Sequence, residues 1–371
     1  MVCRLVLGAI VAFAPTAAQA RDKTLQAQCF APETLAAIAG EDKVVKGDRR
    51  FDGGAPTGSA DSTPAIASPL RGVIRRVDLP NGEKLVALTL DLCEQRGEVA
   101  GYVGAIFDTL RREGVAATVF AGGKWMRSHQ ARTEQLMTDP LFEIANHSDT
   151  HANLRKLEGA ALTEQIQAPQ RSYQAARERL GATQCAARAP DGMKSVAPRL
   201  SLFRFPFGAC NKPSLDAVND QGMLAIQWDV STGDPDPNQS PDRIVSIVTQ
   251  RVKPGSIIVA HANGRGWHTA TALPRLIAKL KSLGYTFVTV SELLARGTPV
   301  IAGSCYDQRP GDTDRYDFLG SLHAHDSHST GLFGWLPAVA PSDVEPKTSN
   351  RKLLRKKSSR ATKTAAPGQS F

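Results

Sequence analysis

A parallel α/β fold is what this sequence predicts, and three features predict it. Short apolar runs of strand length alternate with stretches of helical periodicity from about residue 72 to residue 296, the pattern of strands joined by helical crossovers. Glycines close the helical stretches at Gly114, Gly181 and Gly284, and Ser240-Pro241-Asp242 opens one with proline at its first position. The 371 residues, 42% apolar, can bury one domain of roughly 200–250 residues with tails on either side. An open sheet and a barrel are both compatible with this alternation.

In chain order, residues 21–46 hold one short helix around 32–39, and 47–70, rich in Gly, Pro, Ser, Ala and Asp, read as a linker. Residues 73–77 and 85–92 read as strands, and Asn81-Gly82 between them predicts a hairpin. Val99, Val103, Ile106, Phe107 and Leu110 recur at helical spacing. Residues 115–120 form the next strand, 122–137 are helical in composition, and 141–145 form a strand that runs into a His-rich loop. A long helix spans 160–180, a short strand 202–205, a helix 212–220 and a strand 223–228. The helix opened by Ser240 carries Ile244, Val245, Ile247 and Val248 on its apolar face. Residues 256–260 are a strand, Leu273, Leu276, Ile277 and Leu280 mark a helix, 285–290 form the last strand, and Ser291 caps a final short helix. The expected organisation is therefore 1–20, 21–70, a domain over 71–300, a loop-rich 301–342 and a disordered basic tail over 343–371.

The first twenty residues read as an export signal. Arg4 supplies the basic end, residues 5–14 the apolar run, and Ala18-Gln19-Ala20 the small-residue cleavage site. The stretch is short for a bilayer span, and no later segment is apolar enough for one. A periplasmic or secreted protein is expected. Cys29, Cys93, Cys185, Cys210 and Cys305 then remain, in a compartment that permits disulfides, and the odd number leaves a thiol unpaired in the monomer. No CxxC spacing suggests a structural zinc knot. Connectivity is not legible in sequence; the expected pairs are Cys93 with Cys210 and Cys29 with Cys305.

The net charge is +9, but eight Lys and Arg lie between Lys347 and Lys363 with no acid among them. The body is thus nearly neutral. The tail is expected to touch anionic surfaces such as lipid head groups or acidic wall polymers, and not specific nucleic acid, because no aromatics are interleaved. His323, His325 and His328 read as a solvated loop.

Polar residues capable of chemistry recur just after the predicted strands, where parallel α/β folds build their sites. Asp91 and Glu94 follow one strand, and His147-x-x-x-His151 follows another, spaced to chelate a metal from one helical turn. Arg204-Phe205-Pro206-Phe207 offers a guanidinium for a carboxylate. Trp228 precedes three acids, Asp229, Asp234 and Asp236, and His261 ends an apolar strand ahead of a Gly-rich loop. Singly, each has an ordinary structural reading: a capping acid, loop histidines, a surface arginine, turn chemistry, a satisfied core histidine.

In this order on successive strand ends, they resemble the polysaccharide deacetylase family, also called NodB-homology or carbohydrate esterase family 4, over roughly residues 85–296. The resemblance implies a distorted (β/α) barrel, usually of seven strands, that removes acetyl groups from amino sugars with a divalent metal. Zinc is the first choice, with cobalt, manganese or nickel as alternatives. Asp91 matches the general base, His147 and His151 the metal-binding histidines, and Arg204 the arginine that positions the base. Phe207 matches the residue whose backbone N–H holds the oxyanion, Trp228 and Asp234 fall in the fourth motif with Asp234 tuning the catalytic histidine, and His261 matches the general acid. The chain departs from the family at Leu92, which stands where a second Asp would supply the third metal ligand. Glu94 is the expected replacement, with Asp91 itself, or weak binding through the two histidines alone, as the alternatives. Ser231 and Pro235 depart in the fourth motif. Peptidoglycan, poly-N-acetylglucosamine or a chitin-like glycan is the expected substrate; an O-acetyl esterase and a metal-free carbohydrate-binding protein are the rivals.

Overall fold

The structure, a computed structural model, describes residues 24–58 and 63–305. The export-signal segment, the residues beyond 305 with their histidine patch, and the basic tail lie outside the described residues.

Twelve strands are present among them: β1 (Val45–Lys46), β2 (Val73–Asp78), β3 (Leu85–Leu92), β4 (Glu98–Val99), β5 (Ala117–Ala121), β6 (Phe142–Asn146), β7 (Leu202–Phe203), β8 (Leu224–Ile226), β9 (Val230–Ser231), β10 (Ile257–His261), β11 (Thr286–Phe287) and β12 (Thr298–Ala302). The main sheet runs β12-β2-β8-β7-β6-β5-β3-β10-β9, with β11 added to β3. All of its pairings are parallel except that of β12 with β2. β8 pairs with β7, while β9, a few residues further on, pairs with β10. That kinked segment therefore carries the sheet back towards its other end, as a barrel does. Side-chain packing agrees. Ala87, Phe120, Ala145, Leu202, Ile226 and Ile257, one from or beside each of six strands, form one buried cluster.

The strand alternation of β3 decides where chemistry sits. Leu88, Leu90 and Leu92 pack outward with Ile106, Phe107 and Leu110 of the helix Gly104–Glu113 and with Trp125. Thr89 and Asp91 point to the opposite face. The crossover helices are Gly104–Glu113, Gly123–Ser128 with Gln130–Thr138, Gly159–Gly181, Lys212–Asp220, Pro241–Arg251 and Thr269–Ser282.

Several expectations need correction. Asn81 and Gly82 do adopt left-handed turn angles (φ 58° and 71°), yet β2 and β3 do not pair. β2 bonds to β8 and β12, and β3 to β5, β10 and β11. A turn specifies local geometry, whereas burial of both strand faces selects the partner. The helix expected over 122–137 breaks at His129 (φ −121°, ψ 51°). The last helix is capped by Thr289, not Ser291, in a reciprocal box with Glu292, and β12 follows it. The disulfides are Cys29–Cys185 and Cys210–Cys305, leaving Cys93 as a buried free thiol. Cys93 follows β3, whereas Cys210 and Cys305 share a different buried cluster.

The segment before residue 58 also packs more closely than a linker would. β1 pairs antiparallel with β4. Arg132 binds Glu41 through both oxygens and the carbonyls of Thr34 and Ala36. Lys124, fully buried, pairs with Asp52.

Candidate active site

The site lies at the carboxyl ends of β3, β6 and β10. Asp91 and His261 are direct register partners on β3 and β10, so their side chains leave the sheet together on one face. Arg204, two positions beyond Leu202 at the start of β7, is buried in the barrel. Its Nη1 donates to Asp91 Oδ1 at 2.8 Å and to Thr89 Oγ1 at 2.7 Å. The rest of the guanidinium is held by the Ile226 and Gln227 carbonyls and by the Phe120 ring, whose centroid is 3.9 Å away. Burial pushes the Asp91 carboxyl up, but the neighbouring positive charge, that of Arg204 above all, outweighs it and holds it below the usual carboxylate range.

His147 and His151 do converge, but not from a helical turn. β6 ends at Asn146, and the loop beyond it bends through left-handed angles at Ser148 (φ 61°) and His151 (φ 53°). Such angles in non-glycine residues cost about 1–3 kcal/mol each. Packing holds them there. Asn146 Oδ1 accepts from the Ser148 N–H, and Gln165 Oε1 accepts from the Asp149 and Thr150 N–H groups. The two rings lie 5.0 Å apart. His147 Nδ1 lies 2.9 Å from the Arg204 carbonyl, which can only accept, so the proton sits on Nδ1 and Nε2 presents a lone pair. That Nε2 is buried, has no hydrogen-bond partner, and lies 3.6 Å from Asp91 Oδ2. Burial outweighs Asp91 and keeps His147 below its ordinary pKa. A neutral imidazole with an orphaned buried lone pair fits a metal ligand.

His261 Nδ1 lies 2.9 Å from Asp234 Oδ1, and Asp234 Oδ2 accepts the His261 backbone N–H at 2.7 Å. Thr232 and Thr269 hydroxyls complete the shell around Asp234. Gly266 makes room for this arrangement: a Cβ there would come 2.3 Å from the His261 carbonyl and 2.6 Å from Asp234 Oδ2. Burial drives His261 down, yet Asp234 and then Asp91 outweigh it, leaving its pKa above the ordinary value. Of the three acids after Trp228, only Asp234 reaches the histidine. Asp229 is tied to Ser256 and the Ile257 N–H, and Asp236 to Asn238.

Phe207 has a left-handed backbone (φ 60°, ψ 6°) and its ring packs 4.5 Å from that of His151. Trp228 stands behind it, half-buried. Its ring lies 5.5 Å from the Arg204 guanidinium and would sit 2.9 Å from a Cβ on Gly208. Three of the four left-handed non-glycine residues among those described, Ser148, His151 and Phe207, thus surround this one cleft.

The Glu94 expectation is not met. Its Oε2 accepts from the Ala100 N–H at 2.9 Å and the Ser128 hydroxyl at 2.8 Å, and its Oε1 faces Lys124 at 3.7 Å. Burial raises its pKa against those partners, and it belongs to a structural network on the far side of the strand end. The side chain that approaches the histidines is Cys93. Its Sγ, His147 and His151 offer ligand atoms that all lie within 4.8 Å of one another. Asn263 Nδ2 donates to both the Cys93 carbonyl (2.8 Å) and Sγ (2.9 Å), and burial pushes the free thiol up to about 12. Thr89, Cys93 and Asn263 are the residues that sequence reasoning missed. The period-two spacing of Thr89, Asp91 and Cys93 along one strand was the available signal.

A strand-end carboxylate held by arginine, paired imidazoles and an aspartate-backed histidine thus share one cleft of the α/β sheet. Residues 78–226 match the sequence model of the polysaccharide deacetylase family. The bifunctional xylanase/deacetylase of Pseudobutyrivibrio xylanivorans is 29% identical over 214 residues, 57% of this chain and 30% of that protein. The peptidoglycan-N-acetylglucosamine deacetylase of Bacillus cereus is 27% identical over 219 residues, 58% of this chain and 91% of that protein. Among solved structures, a CE4 family pseudoenzyme from Bacillus anthracis superposes with a TM-score of 0.49 at 26% identity, over 60% of this chain and 69% of that one.

Proposed function

We propose that this chain hydrolyses acetamido groups on an extracytoplasmic glycan, with Asp91 as base and His261 as acid. The observation that carries the reading is the register pairing of Asp91 with His261, one carboxyl paired with Arg204 and one imidazole backed by Asp234, beside the two imidazoles.

A divalent cation held by His147 and His151 would supply Lewis acidity to the acetyl carbonyl and to the attacking water. Asp91 accepts a proton from that water as its oxygen bonds to the amide carbon. The Phe207 backbone N–H is assigned to the carbonyl oxygen as it takes up charge. His261, with Nδ1 committed to Asp234, donates from Nε2 to the departing nitrogen, so the C–N bond breaks to acetate and an amine. Trp228 walls the acetyl side.

Export is supported by the two disulfides, which persist in oxidising compartments. No helix among the described residues is long and apolar enough to cross a membrane. Acetate release from peptidoglycan and from chitooligosaccharides, with and without a chelator, tests the proposal. Chelator-sensitive release is expected. Release confined to O-acetylated xylan would move the assignment to an esterase, and none from any acetylated glycan would overturn it.

A further inference from the structure

We propose that Cys93 supplies the third ligand of this centre, making it a thiolate–bis-imidazole site for a borderline cation such as zinc or cobalt. The inference rests on the reading of His147 and His151 as ligands.

The β3 pleat is the starting point. Leu92, where a carboxylate was expected, is turned into the apolar layer with Leu88 and Leu90, and no rotamer change brings it round to the other face. One residue further on, Cys93 emerges on the side of Asp91. Its Sγ and the two imidazoles have donor atoms within 4.8 Å of one another, a spread that small ring rotations close onto one ion. No other three-residue set of potential ligands among the described residues comes together in this way.

The surroundings point to the same role. Four of the five described cysteines are consumed in disulfides, and Cys93 is kept apart from them, buried. Asn263 directs an N–H at the sulfur while anchoring the Cys93 carbonyl, so the sulfur is held as an acceptor. Glu94 is engaged elsewhere, by Ser128 and the Ala100 N–H, and Asp91 has one oxygen committed to Arg204. Coordination exchanges the S–H bond for an S–metal bond and releases the proton to solvent, with no change of oxidation state. A sulfur ligand favours zinc and cobalt over magnesium and manganese.

The test is cobalt(II) loading of the metal-stripped full chain, followed by absorption spectroscopy. A sulfur-to-cobalt charge-transfer band in the near ultraviolet is expected in the wild type. It should vanish in Cys93→Ser, with zinc affinity falling by more than about 100-fold, while Asn263→Ala should weaken zinc by about 10–100-fold. Bound metal should also protect Cys93 from alkylation. Cobalt bound without the sulfur band in the wild type overturns the proposal and leaves the deacetylase reading standing, as does a band unchanged in Cys93→Ser. A sulfur band in a protein that releases no acetate upholds the ligand and removes the activity.

Discussion

Arg204 shows how much a single side chain can organise. It is buried, and its charge is met by Asp91, two backbone carbonyls and an aromatic face. The carboxylate it holds ionised is the proposed base. Asp91→Asn and His261→Ala should each lower kcat by about 10²–10⁴-fold, measured as acetate release with folding checked by circular dichroism. Activity near wild type in either would remove that residue from the mechanism. The His261–Asp234 pair sets a pH signature. His261 must be protonated to donate, and Asp234 is what lifts its pKa above the ordinary value against burial. Asp234→Asn removes that lift, so the protonated fraction is lost at lower pH. The alkaline limb of the kcat profile should therefore move to lower pH, with a greater loss of rate in alkaline than in neutral buffer. An unmoved limb would detach Asp234 from the tuning of His261.

At the scale of elements, the site is assembled by strand ends and by loops that the body braces. The loop after β10 carries Trp267, 60% exposed, just beyond Gly266 and hydrogen-bonded through its N–H to the Asp234 carbonyl. An exposed indole beside the proposed cleft offers a stacking face. Trp267→Ala should raise KM for oligosaccharides several-fold with kcat little changed, and an unaltered KM would argue that the glycan runs elsewhere. The segment before β2 packs against this same loop and against the residues that lead into the helix Gly104–Glu113. The Glu41 carbonyl accepts the Tyr102 N–H, and the Asp42 carbonyl lies where a Cβ on Gly101 or Gly264 would come within 2.3 Å of it. Arg132 clamps the segment through Glu41. Arg132→Ala leaves partly buried acceptors unmet and should cost about 1–3 kcal/mol, read from denaturant unfolding. A loss below ~1 kcal/mol would show the segment to be a loose appendage.

For the whole molecule, Cys210–Cys305 ties the turn after β7 to the end of β12 across 95 residues. Closing a loop of that length is worth up to about 4–5 kcal/mol on the chain-entropy account. A Cys210→Ser, Cys305→Ser double variant should unfold at distinctly lower denaturant, and an unchanged midpoint would mean that β12 is held by its ladder to β2 alone. The alternation of elements, the helix stops at Gly114 and Gly284, and the succession Asp91, His147, His151, Arg204, Asp234, His261 were legible in the chain, because periodicity and capping act over a few residues and the motifs follow strand ends. The partners of Cys29, Cys185, Cys210 and Cys305, the refusal of β2 and β3 to form a hairpin, and the exchange of Glu94 for Cys93 beside the histidines were not. Each depends on which groups a curled sheet brings together from positions tens to hundreds of residues apart. Local pattern thus determined the kind of fold and the order of its reactive groups, while only the tertiary structure decided which of them face one another, since facing is set by sheet register and burial rather than by neighbours in sequence.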